Sequence, residues 1–226
     1  SQDGKIDFEL IRLDSTPLRL DDIKSLLKRK YAYIEGDNAQ RLKHLFFSDQ
    51  SPFSYVEAFD EQYSTFYDLL QNENVKLEQF VNYQRELIEI LVSEDHLYFD
   101  EEKCVKIKDD VFIYLIGELY RNEVISYWHF PPEVRGVMDA MEKEGYLRFD
   151  NSLFTQQEIY YFNYYLNRKG YTNGMNIRNK YAHGSNSESE EKHRDEYWVL
   201  LTLVIISFLK ILDDLMLHKK VIAEKV

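Results

Sequence analysis

His96-Leu97-Tyr98-Phe99-Asp100 and Tyr146-Leu147-Arg148-Phe149-Asp150 are two versions of one short unit, and their surroundings decide the fold class. Each follows a stretch with helical spacing, residues 84–93 and 132–144. The first is followed by a polar link, the apolar segment Val105 to Ile107, and a helix opening at Lys108-Asp109-Asp110. The second is followed by Leu153-Phe154 and a helix opening at Thr155-Gln156-Gln157-Glu158. Short apolar runs between longer stretches of 3.6-residue period predict helix, short hairpin, helix, twice over. Thr155 is suited to cap the last helix, and Glu158 three residues on completes a capping box.

Upstream, residues 76–92 place Leu77, Phe80, Leu87, Ile88 and Leu91 on one helical face, and residues 54–70 form a further expected helix. The first fifty residues are mixed. IDFELIRL (residues 6–13) alternates like a strand, Asp21 to Tyr33 has amphipathic helical spacing, and Glu35-Gly36-Asp37-Asn38 reads as a turn. Polar residues and Pro52 interrupt the pattern at Ser48 to Phe53, which places a boundary there. The expected organisation is an N-terminal segment of unassigned role over 1–50 and a helical domain over 51–226. Downstream, Tyr160, Tyr161, Tyr164 and Tyr165 form i,i+4 pairs, a pattern that usually belongs to a core. The most apolar run, Tyr197 to Leu212, contains Thr202, Ser207 and Lys210 and is shorter than the ~20 residues of a membrane span, so a buried helix is expected. With 8 Gly and 4 Pro in 226 residues, a turn-rich β-sandwich is disfavoured. The fold class expected is mainly α, a helical bundle with one or two short β-hairpins.

A net charge of −12 argues against a basic nucleic-acid clamp covering the whole molecule. The single cysteine, Cys104, rules out an intramolecular disulfide and a multi-cysteine zinc site, which fits a reducing, cytoplasmic setting. The polar start SQDGKIDFEL has no signal-peptide pattern, and no membrane partner is expected. Ser1 stands where an initiator Met is absent; it reads as a tag remnant or as the start of an excised C-terminal piece, the latter implying an upstream sensor or motor domain. Helix, hairpin, helix is also how a winged-helix unit ends, so a winged-helix-like DNA-binding regulator is one reading of the repeat. Against it, Glu94, Asp95, Asp100, Glu101 and Glu102 sit where a wing approaches phosphate and would repel it.

One segment departs from the acidic background. Arg168 to Gly184, RKGYTNGMNIRNKYAHG, holds Arg168, Lys169, Arg178 and Lys180 and no acidic residue, making it the local positive site of the chain. Gly184 is a natural stop, so a helix should end at His183, where the negative end of the dipole favours the imidazolium. A histidine so placed keeps both protonation states accessible for acid–base work, and Arg178 offers planar, charge-assisted bonds to a phosphate. Five residues separate Arg178 from His183, which sets them roughly 140° apart around a helix. Asn179 and His183 do share a face. One helix therefore leaves the site incomplete, and two such helices meeting across a two-fold axis would surround one phosphate with two Arg and two His.

Arg178-Asn179-Lys180-Tyr181-Ala182-His183-Gly184 resembles the defining motif of the HEPN superfamily, an Arg, four to six residues, then His, with a polar residue directly after the Arg. The form Arg-Asn-x-x-Ala-His-Gly is similar to HEPN domains of prokaryotic toxin and antiviral defence proteins, especially C-terminal ones in which a long apolar helix follows, here Glu196 to His218. The resemblance covers roughly the last third of the chain and assigns nothing to residues 1–90. It implies a HEPN-like bundle, a homodimer with a composite cleft, and a metal-independent endoribonuclease without cofactor. In that chemistry the RNA 2′-OH attacks its neighbouring phosphorus. His183 moves the proton, Arg178 stabilises the charged phosphate, and Asn179 orients one of them, while Lys180, Arg168 and Lys169 bind RNA. Single-stranded RNA or tRNA is the implied partner, with an upstream sensor domain or an antitoxin as regulator. A non-catalytic HEPN dimerisation or RNA-binding module is the alternative. The remaining histidines, His44, His96, His129, His193 and His218, lack metal-ligand spacing, and His193 beside Arg194 reads as a solvated helix start. No glycine-rich phosphate loop or nucleophile elbow is present.

Overall fold

A computed structural model describes residues 28–59, 63–167, 170–182 and 189–224. The strand expected over residues 6–13 and most of the Asp21 helix lie outside them, as do Arg168, Lys169 and His183. The chain is mainly helical with short strands in small sheets, and it divides into two compact units, one of them Arg29–Asp150. The described part of the other is Lys28 and the residues from Asn151 onward. The Ser48 to Phe53 stretch, where the sequence suggests a boundary, lies inside the first unit: Phe53 is buried and stacks on Phe66 at 4.1 Å between centroids.

In the first unit β1 (Tyr31–Ile34) leads into α1 (Gly36–Phe47), then come α2 (Phe66–Asn72), a 3-10 turn at Leu77–Gln79, and α3 (Asn82–Ser93). The hairpin of β2 (Leu97–Phe99) and β3 (Val105–Ile107) follows, then α4 (Asp110–Asn122), β4 (Ile125–Ser126), a second 3-10 turn at Tyr127–His129, α5 (Pro132–Lys143) and β5 (Leu147–Asp150). Several expectations are corrected. Tyr31 to Tyr33 end in a strand instead of a helix, because Tyr31, Ala32 and Tyr33 are all buried between two partner strands. Glu35 to Asn38 open α1 rather than forming a turn. The helix expected over 54–70 is confined to Phe66–Asn72, where Thr65 caps it by accepting from the Asp68 amide. The helix expected over 76–92 begins only at Asn82, after the 3-10 turn that Phe80 closes; Phe80, Ile88 and Leu91 are nonetheless buried, as the spacing predicts.

The duplication is deeper than the sequence suggests. Lys76 bridges Cys104 while β2 pairs with β3, Phe99 opposite Val105 and Leu97 opposite Ile107. In the second copy Ser126 pairs with Tyr31 while β5 pairs with β1, Phe149 opposite Ala32 and Leu147 opposite Ile34. Thus β1 occupies in the second copy the place of β3 in the first. Loop hydrogen bonds repeat as well: Lys108 N–H donates to His96 O at 3.0 Å, and Glu35 N–H to Tyr146 O at 2.9 Å. The partner expected for β5, Leu153-Phe154, is therefore replaced by a strand from the front of the chain. Asp95 and Gly145 make the matching left-handed turns, φ 64° and 79°, a conformation glycine and Asp tolerate best.

These exchanged strands lead into α1 and α4, which pack on each other. A Cβ on Gly117 of α4 would lie 2.6 Å from the Phe47 ring, so only glycine admits this approach. The core formed around it runs from Ala32 to Leu147 and includes Phe46, Phe66, Ile116 and Met138. Residues 29–150 hold 25 acidic and 13 basic side chains and so carry a net charge equal to the whole molecule's −12. From residue 151 onward there are 9 acidic and 10 basic ones.

The second unit comprises α6 (Gln156–Leu166), α7 (Ile177–Ala182) and α8 (Glu190–Glu224). Thr155 and Glu158 form the expected capping box on α6, with bonds of 2.8 and 3.2 Å. The tyrosines of α6 are not core: Tyr160 and Tyr161 are exposed, and Tyr161 and Tyr165 pack edge to face on each other at 4.9 Å. The apolar run in α8 is likewise not the buried helix expected. Leu203, Leu217 and Val221 are buried, but Val204, Ile205, Phe208, Leu209, Leu212 and Met216 face outward, Phe208 at 69% exposure. No described helix is long and apolar enough to cross a membrane.

Candidate functional site

The motif sits on α7, and its approach is fixed by Gly174. A Cβ there would lie 2.9 Å from Asn167 O and 3.0 Å from Tyr164 O, so the chain passes against the end of α6 only because residue 174 has no side chain. The next amide, Met175 N–H, then donates to Tyr164 O at 2.9 Å. Asn176 follows in the left-handed region, φ 54°, which Asn accepts more readily than most residues. Its carbonyl accepts from Lys180 N–H at 3.2 Å, and its side-chain oxygen accepts from Asn179 Nδ2 at 2.7 Å. Asn179 is thus engaged at the start of its own helix.

Two further links hold α7 to α8. Lys180 Nζ lies 3.0 Å from Glu196 Oε1, with Glu196 fully buried and the Lys180 side chain 23% exposed. Removing one partner of such a pair leaves a buried charge, typically at a cost of about 3–5 kcal/mol. Glu196 Oε2 is also buried and accepts no hydrogen bond among the described residues. Tyr181 Oη lies 2.8 Å from His193 Nδ1, and the two rings are 5.7 Å apart. His193 is therefore not a merely solvated helix start. It lines a shallow cleft of about 670 Å³ with Glu190, Glu191, Arg194 and Tyr197.

Ile177, buried, and Lys180 turn toward the unit, which leaves Arg178 on the outer side of α7. Arg178 is exposed, and among the described residues its guanidinium has no hydrogen bond or ion pair. Of the residues singled out in sequence, Arg178, Asn179 and Lys180 are brought together on one short helix. His183, Arg168 and Lys169 lie outside the described residues. Lys180, expected to meet RNA, has its charge matched by Glu196. Sequence reasoning passed over Glu196, Tyr181 and the Tyr181–His193 contact. A signal for Glu196 existed: it shares the helical stripe of Leu203, Leu217 and Val221, where an acid needs a partner.

A second link, Lys210 Nζ to Glu158 Oε1 at 3.1 Å, ties α8 to α6. Among the described residues no group of three or more His, Cys, Asp or Glu is placed to hold a metal ion. No family model, no curated protein and no solved structure matches the chain.

Proposed function

We propose that the chain is a metal-independent endoribonuclease effector, of the toxin or antiviral defence kind, acting as a homodimer on single-stranded RNA or tRNA. The observation that carries the reading is Arg178: an exposed guanidinium with no partner among the described residues, in the acid-free segment, on a helix pinned by the Lys180–Glu196 pair. An exposed guanidinium on a helix held in place is suited to the charge that develops on a phosphate under attack. In this reading the 2′-OH attacks the adjacent phosphorus, His183 takes the proton, and the two Arg178 side chains of the dimer stabilise the pentacoordinate phosphate. The products carry a 2′,3′-cyclic phosphate and a 5′-OH. DNA, without the 2′-OH, is inert.

The outward face of α8 supports the dimer. From Tyr197 to Met216 it exposes nine large apolar side chains, among them Phe208 at 69% and Met216 at 62%, more than a lone surface helix needs to leave uncovered. The non-catalytic alternative, a HEPN dimerisation or RNA-binding module, shares this surface and Arg178 and is separated from the enzyme by product formation alone.

The topology of residues 29–150 gives the winged-helix reading a specific observation: helix, short strand, turn, helix and antiparallel ladder occur twice. Topology does not assign function, and the electrostatics oppose DNA. Helix α3 carries Glu86 and Glu89, and Arg85 spends its guanidinium on Phe80 O and Glu78 O at 2.6 and 2.8 Å. In α5, Arg135 lies over the Trp128 ring at 4.7 Å. A unit with a net charge of −12 lacks the basic stripe that phosphate contact needs.

The test is incubation with end-labelled single-stranded RNA and tRNA in excess EDTA, beside His183→Ala and Arg178→Ala. Cleavage by the parent alone, leaving cyclic phosphate ends, is expected, with each variant at least ~100-fold slower. RNA binding that weakens with salt and yields no product would instead assign the non-catalytic module.

A further inference from the structure

We propose that His193, held by Tyr181, is the acid that protonates the leaving 5′-oxygen in the RNA cleavage described above; the inference rests on that reading. Cleavage through the 2′-OH needs two proton movements, one off the attacking oxygen and one onto the departing one. His183 accounts for the first. From residue 151 onward the other imidazoles are His193 and His218, and His218 is buried at 5% exposure in the later part of α8. His193 is accessible and directly bonded to the motif helix. Tyr181 follows Arg178 by three residues, so the two share one side of α7 with Cβ atoms about 5–6 Å apart. Arg178 and Tyr181 thus share a side of α7, and Tyr181 in turn holds His193.

The Tyr181 contact suits a group that changes protonation state. In the imidazolium, Nδ1–H donates to the Tyr181 oxygen at 2.8 Å and Nε2–H is the proton to be given up; once it has left, Nδ1–H still donates to Tyr181, so the ring keeps its place through the transfer. The step balances: the 2′-oxygen–phosphorus bond forms as the phosphorus–5′-oxygen bond breaks, the 2′-OH proton passes to His183, and the Nε2 proton of His193 passes to the 5′-oxygen. Exchange with water restores both rings. Around His193 stand Tyr181 and Lys180 from α7, and Glu190, Glu191, Arg194, Tyr197 and the Lys180-paired Glu196 on its own helix.

The test uses the full chain and two substrates, an ordinary RNA dinucleotide and one with sulfur in place of the bridging 5′-oxygen, whose thiolate departs without a proton. On the ordinary substrate His193→Ala should be slower by ~100-fold or more. On the sulfur substrate it should return to within a few-fold of the parent, whereas His183→Ala stays slow on both. Equal impairment of His193→Ala on both substrates, or none on either, overturns the inference while leaving the nuclease reading intact. A parent inert on both substrates overturns the nuclease reading and this inference with it.

Discussion

In residues 29–150 the large apolar side chains Phe46, Phe66, Phe80 and Ile116 are sealed in one core, and every helix has a partner within the unit. From residue 151 onward, Phe208, Leu209 and Met216 are each more than half exposed, and the buried positions are few. The first unit closes on itself by exchanging strands between its two copies, so the inward faces of its helices meet one another within the same chain. The second spends the inner stripe of α8 on its own unit, through Glu196, Leu203 and Lys210, and leaves the outer stripe without a partner among the described residues. The proposed dimer rests on this exposed apolar stripe. The contrast extends to charge: the closed unit carries the acidity, and the open one is near neutral around Arg178.

The sharpest way to break this comparison is to make the outer face of α8 polar. Phe208→Glu with Leu212→Glu should convert a dimer to a monomer by sedimentation equilibrium, with RNA cleavage lost by ~100-fold or more because the composite site is gone. The helical circular dichroism should be retained, since neither side chain belongs to a buried core. A parent that sediments as a monomer at micromolar concentration would refute the reading of α8 as a dimer face.

A smaller effect is expected in the closed unit, at the point where α1 and α4 touch. Gly117→Leu must displace the Phe47 ring, itself held by Tyr67 at 5.3 Å and by Tyr120 at 6.1 Å. Overpacking of this kind costs about 1–3 kcal/mol, read as a lower urea midpoint. The dimer mass should not change. An unaltered midpoint would mean that this contact is looser than the geometry gives.

What could be read in the sequence follows from where the deciding interaction lies. The helices α3, α5 and α6 and the β2–β3 hairpin were legible because periodicity, Pro132 and the Thr155–Glu158 box are local signals. The place of β1 was not, since Tyr31 to Ile34 are a strand only by pairing with β4 and β5, more than ninety residues away. The outward Tyr160 and Phe208 escaped for another reason: apolar spacing shows that a face will be covered without telling whether its own chain covers it. At the site, Arg178 was legible as a motif. The Lys180–Glu196 and Tyr181–His193 links were not, because each joins side chains of two different helices, sixteen and twelve residues apart in sequence.

The smallest expected effect concerns His96 and tests how closed the first unit is. Its ring lies between Phe112, stacked at 5.5 Å, and Tyr146, edge-on at 6.1 Å, and Tyr146 is its counterpart in the other copy. Burial lowers the His96 pKa from its ordinary 6.5; Glu94, Asp95 and Glu144 pull it up and Arg41 pushes it down, and the net shift is downward. A histidine whose folded pKa lies below the unfolded value favours the neutral ring in the fold. Its contribution to stability is therefore complete above about pH 6.5 and is lost as pH falls through the lower folded value. Replacing it with the residue of the other copy, His96→Tyr, removes the titration. The urea midpoint of that variant should change less between pH 7 and pH 5 than the parent's does. An equal change in both would show that the imidazole is solvated in the fold, and that the junction of the two copies is open where the rings now close it.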